Sequence, residues 1–263
     1  MKRCGQQMTN TILQFKDISF HYDHDTVQKP ILKKLNLDLF DGEFISFLGP
    51  SGSGKSTLFK LITGLEQPSE GEIYLRNQLE INRLGQVGYM PQQDLLLPWR
   101  TIVENAALPL EIKGVKKREA YRKVMMLLEE FGLKDVENCF PIELSGGMRQ
   151  RVSFLRTILS GSNILLLDEP FSALDAITKL SLQEWLLAQW QKRKETILFI
   201  THDVNEALFL SDRIYVFMEA PTSKLKEIHV PLTRPRAVRD LNHPDILRLK
   251  DELLDELRAW PNL

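Results

Sequence analysis

Residues 49–57 (GPSGSGKST) carry the side chains and the spacing of a phosphate-binding loop, GxxxxGK[ST]. Gly49 and Gly54 are its spaced glycines, and Lys55 and Ser56 close the pattern. To cradle a chain of phosphate oxygens, successive backbone N–H groups must point inward, and glycine permits the turns and the close approach. Lys55 supplies a compact cation for β- and γ-phosphates, and the Ser56 hydroxyl suits a Mg²⁺ ion. Pro50, Ser51, Gly52, Ser53 and Thr57 complete the candidate contact set. The flanks agree: residues 44–48 (FISFL) are an apolar run of strand length, and residues 58–65 have helical apolar spacing. A helix N-terminus would then face the phosphates, which a flexible Gly/Ser linker would not provide. The expected ligand is ATP or GTP.

Other candidates lie downstream. Residues 164–167 (ILLL) read as a strand buried on both faces of a parallel sheet, ending in Asp168-Glu169-Pro170. Acids at the carboxyl end of such a strand sit beside the crevice where α/β ligands bind. Asp168 can hold Mg²⁺ there, directly or through water, and Glu169 can polarise an attacking water. Residues 144–151 (LSGGMRQR) open a helix running to about Ser160, with Ser145 as N-cap and Gly161 beyond its end. Gly146 and Gly147 leave that helix start bare, as an ordinary turn or as a second anion-accepting terminus. His202 follows the apolar run 196–201 and has two readings, a satisfied structural imidazole or a contact to a γ-phosphate. Tyr22 likewise reads as a strand-end aromatic or as a platform for a base.

These residues need elements to carry them. Residues 11–48 show period-two alternation through Leu13, Phe15, Ile18 and Phe20, then Leu35, Leu37 and Leu39, up to an Asp41-Gly42 turn. One wet face and one buried face suit antiparallel strands. Short strands are expected over 72–75 and 86–90. Thr101–Glu104 is a capping box, and residues 116–131 carry Tyr121, Val124, Met125, Leu128 and Phe131 at helical spacing as a core stripe before Gly132. Residues 100–160 are thus mostly helical. A helix is expected from residue 176 to about Trp190, a strand over 213–217, and a tail helix over 245–260 whose stripe (Ile246, Leu249, Leu253, Leu254, Leu257) packs back on the domain.

The composition sets limits. At 263 residues the chain can bury a substantial core, and 43% hydrophobic and 26% charged residues are ordinary globular values. A net charge of −1 argues against a general nucleic-acid binder. Two cysteines, Cys4 and Cys139, with no CxxC pair, make a disulfide framework or zinc site unexpected and suit a reducing compartment. The basic start MKRCGQQMTN lacks an apolar core behind it and does not read as a signal peptide, and no run of 18 apolar residues marks a membrane span.

The ordered motifs, from GPSGSGKST through LSGGMRQR to ILLLDEP, resemble the ATP-binding cassette family over roughly residues 12–220, specifically a transporter's stand-alone nucleotide-binding subunit. The resemblance implies an α/β P-loop ATPase core with a mainly parallel sheet, an N-terminal antiparallel β-subdomain and an inserted helical subdomain (about 93–160). That domain spans 11–220, and a tail, 221–263, carries the helix at about 245–260. By the same resemblance the ligands are ATP and Mg²⁺, with Asp168, Ser56 and Gln92 at the metal, Glu169 as catalytic base and His202 as the switch histidine. Gln92 joins the ion and water to the helical insert, Tyr22 stacks on adenine, and Ser172, Ala173, Leu174 and Asp175 form the D-loop. Two copies pack head to tail, so Leu144, Ser145, Gly146, Gly147 and Gln150 act in trans on the partner's nucleotide.

Residues 92–114 (QQDLLLPWRTIVENAALPLEIKG) further resemble the importer branch for nitrate, sulfonates, taurine and related solutes, including pyrimidine precursors of thiamine. The implied partners are a second copy, membrane permease subunits and, indirectly, an extracytoplasmic solute-binding protein, with no nucleic acid. The implied place is the cytoplasmic face of the cell membrane. The alternatives are an export or cell-division cassette, against which the LLPW segment weighs, or a soluble cassette acting on nucleic acid or ribosomes. The last would need a long coiled-coil insert, a tandem cassette or a basic surface element, none of which the sequence shows.

Overall fold

The computed structural model describes residues 10–22 and 29–259. Cys4 and the Trp260 end of the expected tail helix lie outside them. The chain begins with β1 (Thr11–His21) and β2 (Pro30–Phe40), an antiparallel pair that buries Leu13, Phe15, Ile18, Leu35 and Leu39. The alternation in β1 is interrupted by a register shift between Phe15 and Ile18, where Asp17 has a positive φ of 52°. The turn at residues 41–42 leads into β3 (Phe44–Leu48), which is buried along its whole length. Then come α1 (Lys55–Thr63), β4 (Glu70–Leu75), β5 (Gln78–Leu79) and β6 (Gly88–Met90). Three helices follow: α2 (Ile102–Ile112), α3 (Lys117–Leu128) and α4 (Gly146–Leu159). The remainder alternates as β7 (Ile164–Asp168), α5 (Ala176–Arg193), β8 (Thr196–Thr201), α6 (Val204–Leu210), β9 (Arg213–Phe217) and β10 (Leu225–His229), and ends in α7 (Pro244–Arg258).

Among the described residues the strands form a four-stranded sheet ordered β2-β1-β4-β5 and a six-stranded sheet ordered β10-β9-β3-β8-β7-β6. The first is antiparallel; in the second only β10 runs against its neighbour. Because β3, β8, β7 and β6 are parallel, Leu48, Thr201, Asp168 and Met90 all end on one edge. The residues that follow each strand are thereby delivered to a single rim, as expected for an open α/β sheet.

The structure bears on the sequence expectations in five places. At α2 the returning half of the capping box is formed, with Glu104 Oε2 accepting from the Thr101 N–H at 3.1 Å. In α3, Ala120, Val124 and Leu128 are buried, but Met125, expected in the stripe, is 47% exposed. One residue further along a helix is a turn of roughly 100°, which carries Met125 off the buried face. The strand expected over 86–90 is confined to Gly88–Met90. β5, α6 and β10 lie outside the sequence expectations: β5 and α6 are short, and β10 (LKEIH) has no period-two pattern and is a strand through its pairing with β9. The α7 stripe does pack back, with Ile246 and Leu253 buried against Leu48, Val204 and Val216.

Gly88 shows how closely α4 approaches the sheet. A Cβ there would lie 2.8 Å from Leu165 Cδ2, 2.9 Å from Ser160 Oγ and 3.0 Å from the Thr157 carbonyl oxygen. Gly88→Ala is therefore expected to destabilise the chain by about 1–3 kcal/mol, the range for overpacking a tight interior. A lowered urea midpoint with unchanged slope would register it, and an unchanged midpoint would mean that α4 can retreat freely.

Candidate active site

The loop between β3 and α1 is shaped by two glycines with positive φ, Gly52 at +80° and Gly54 at +100°. Gly54 is the N-cap of α1 and offers no side chain to its N–H groups. The early amides of that helix are thus left to whatever lies in front of them. Gly49 is needed for space: a Cβ would come within 2.9 Å of Phe217 Cβ. Lys55, 5% exposed, donates from Nζ to the carbonyl oxygens of Gly49 (2.7 Å) and Pro50 (2.8 Å). Burial pushes its pKa down, opposed by the charges of Glu169 and Asp168. Ser51, Gly52, Gly54, Lys55, Ser56, Thr57 and Glu169 line one cleft of about 370 Å³. Ser53 is buried with no partner recorded for its hydroxyl among the described residues.

Asp168, the last residue of β7, is buried, and burial raises its pKa. Hydrogen bonds from Tyr89 (3.3 Å to Oδ2) and Ser56, with the Lys55 charge, favour its ionised form. The Ser56 hydroxyl and the Asp168 carboxylate therefore meet as hard oxygen donors at the front of α1, the donor type that suits Mg²⁺ shared with phosphate oxygens. Among the described residues no cluster of three or more His, Cys, Asp or Glu side chains could hold a metal by itself.

Glu169 adopts a left-handed backbone (φ 45°), which costs a non-glycine residue of order 1–2 kcal/mol. Its N–H is held by the Ile200 carbonyl at 3.1 Å, and its own carbonyl accepts from Ser172 Oγ at 3.0 Å. This turn directs the carboxylate along the rim, where Oε2 lies 3.2 Å from His202 Nδ1 and 3.5 Å from Gln92 Nε2. Gln92 also donates to Ser172 Oγ at 3.3 Å. Lys55, Ser56, Gln92, Asp168, Glu169 and His202 are therefore gathered on one rim although 147 positions separate Lys55 from His202. Tyr22 stands beside the first turn of α1, its hydroxyl 3.3 Å from Thr57 Oγ1 and accepting from Lys60 Nζ at 3.3 Å. Its ring packs edge-on to Phe20 at 4.9 Å.

Residues 144–150 do not join this cleft. Ser145 caps α4, accepting from the Met148 N–H at 3.3 Å, and Leu144 is buried in the core. Gly146, Gln150, Ser172, Ala173 and Leu174 line a neighbouring cleft of about 580 Å³, to which Gln92 also contributes. Gly147 lets α4 approach α5 closely: its Cβ would stand 2.9 Å from Thr178 Cγ2. Asp175 accepts from the N–H groups of Ile177 (3.1 Å) and Thr178 (3.0 Å) as the cap of α5, and hydrogen bonding from the Thr178 side chain, with those amides, holds its carboxyl below the ordinary range. Tyr89, which touches Asp168, escaped the sequence reading. A tyrosine three residues before Gln92 carries no signal until β6 and β7 are known to pair.

The sequence pattern of the ABC transporter family matches residues 32–172. The chain is 47% identical over 224 residues to the formylaminopyrimidine import ATP-binding protein ThiZ of Halalkalibacterium halodurans, covering 85% of this chain and 86% of that protein. It is 43% identical over 229 residues to the aliphatic sulfonates import ATP-binding protein SsuB 2 of Pseudomonas syringae pv. tomato, covering 86% and 91%. Among solved structures, the dimeric post-hydrolysis state of the ATP-binding cassette MJ0796 bound to ADP and Pi matches with a TM-score of 0.73 at 30% identity, over 84% of this chain and 100% of that one. The chain thus belongs to the ABC transporter family, as an ATPase subunit that couples ATP hydrolysis to transmembrane solute transport.

Proposed function

We propose that this subunit drives an importer for a small solute of the sulfonate, nitrate, taurine or pyrimidine-precursor class, from the cytoplasmic face of the membrane. The similarity to relatives named for formylaminopyrimidine and aliphatic sulfonates supports that class. Permease subunits would supply the passage, and a solute-binding protein outside the membrane would deliver the solute. Among the described residues no helix is long and apolar enough to cross a membrane, in keeping with a separate permease. The permease would seat on the groove of about 370 Å³ lined by Pro91, Leu95, Leu108, Pro109, Ile112 and Arg156.

The observation that carries the mechanism is the separation of the two clefts. The P-loop and Glu169 line one, and Gly146 at the α4 N-terminus lines the other, whose near wall is Gln92, the hydrogen-bond partner of Glu169. A second copy packed head to tail would bring its Ser145, Gly146 and Gly147 to the open side of the first copy's phosphates. Lys55 and the loop amides hold the β- and γ-phosphates, and Tyr22 flanks the base. Mg²⁺, held by Ser56, Asp168 and Gln92, would neutralise phosphate charge. Glu169 accepts the proton of the attacking water, and His202 orients Glu169 and the γ-phosphate side. Hydrolysis then depends on closure, because half of the phosphate contacts come from the partner.

Glu169→Gln keeps the hydrogen-bonding shape but removes the base. It is expected to lower turnover by about 10²–10⁴-fold, retain ATP binding and accumulate an ATP-dependent dimer on size-exclusion chromatography. Wild-type turnover in this variant would refute Glu169 as base. Composite assembly has its own test: Ser145→Arg and Lys55→Ala subunits, each inactive alone, should regain hydrolysis when mixed, since one of the two sites is then complete. A mixture no more active than its parts would exclude action in trans.

A further inference from the structure

A buried ion cluster lies directly behind His202. The Glu206 carboxylate on α6 is 5% exposed and takes three donors: Lys179 Nζ at 2.7 Å, Gln183 Nε2 at 3.2 Å and the Thr201 hydroxyl. Lys179 also pairs with Asp203 Oδ2 at 2.8 Å. The other Asp203 oxygen caps α6, accepting from the N–H groups of Asn205 (2.8 Å) and Glu206 (3.4 Å). Thr201 Oγ1 in turn accepts from the Asp203 N–H at 3.0 Å. Both chain neighbours of His202 are therefore tied to one ammonium on α5. The His202 side chain is itself 60% exposed, so its approach to Glu169 is inherited from the backbone on either side. Lys179 sits one turn into α5, the helix that Asp175 caps directly after residues 172–174.

We propose that Lys179 is a positioning residue that fixes His202 against Glu169 and ties that placement to the start of α5. This rests on the reading of His202 and Glu169 as groups at the reacting phosphate. The cluster holds two carboxylates and one ammonium, and removal of the ammonium leaves Glu206 and Asp203 to repel each other with their burial uncompensated. The N-terminus of α6 then moves from α5, and His202 moves with it. The P-loop takes no part in the cluster, so nucleotide affinity is untouched.

Lys179→Met is expected to lower kcat about tenfold, well within what misplacing a reacting group by an ångström can cost. KM and the Kd of a fluorescent ATP analogue should stay within about twofold, the split expected when ground-state binding is spared. Lys179→Arg, which restores both ion pairs, should recover most of the turnover. His202→Ala supplies the reference background, in which Lys179→Met should cost nothing further, because the group it acts through is gone. Equal costs with and without His202 would overturn the proposal and leave the role of His202 standing, whereas wild-type turnover in His202→Ala would overturn both. If Lys179→Met fails to fold, the paired variant Lys179→Met/Glu206→Gln removes the buried charge with its partner and is read against the same background with the same two outcomes.

Discussion

A lysine ammonium withdrawn from water is the constraint on which this structure turns. Burial of an ion costs several kcal/mol unless its surroundings replace the lost hydration. For Lys55 the replacements are the carbonyls of Gly49 and Pro50 and the fields of Asp168 and Glu169. The dependence is mutual, since buried Asp168 is kept towards its charged form by Lys55, Tyr89 and Ser56. The members of this set stabilise one another's charged forms, and nothing local in sequence brings them together. The parallel pairing of β3, β8 and β7 does so, and the apolar residues on both faces of those strands keep water out.

The two helix N-termini illustrate how a small difference in cap chemistry separates their uses. α1 is capped by a glycine with φ +100° and no side-chain acceptor, so its first amides face the cleft without an intramolecular substitute. α4 is capped by Ser145, which satisfies the Met148 N–H, and its following glycines bring it close to Leu174 and Thr178. The first terminus leaves its amides open to the cleft beside Lys55 and Ser56. The second is pressed against Leu174 and Thr178.

What could be read from the sequence is what local spacing determines. The phosphate loop, the Thr101–Glu104 box, the Ser145 cap and the acids ending β7 are short-range patterns whose physics is complete within a few residues. The same holds for uniformly apolar strands such as β3 and β7. The contact of Tyr89 with Asp168 joins residues 79 positions apart, and no pattern marks it before the strand order is known. β10 (LKEIH) has adjacent exposed polar residues and no period-two pattern, so it resembles a loop until β9 is beside it. Met125 lies one step from a buried row, a distinction that depends on where α2 sits.

The tail belongs to the same network of constraints. α6 has seven residues, too few for a helix to persist without tertiary support. Its N-terminus is held by Asp203 and Lys179, and its C-terminal carbonyls by two arginines from the segment after β10. Arg236 Nη1 donates to Ser211 O at 2.6 Å and Phe209 O at 3.3 Å, while Arg234 Nη2 donates to Leu210 O at 2.5 Å. Burial and the neighbouring Arg234 push the Arg236 pKa down to about 10, so it remains a cation at neutral pH and suits the negative end of a helix. Asp212 completes the tie, accepting from Arg234 Nε at 2.7 Å and from the Phe44 N–H at 3.0 Å. The helix that begins beside His202 is thus fastened at its far end to the first residue of β3, the strand that delivers the phosphate loop. Loosening either end would disturb the rim by the same route, through partly buried Arg234 and buried Arg236 at one end and Lys179 at the other.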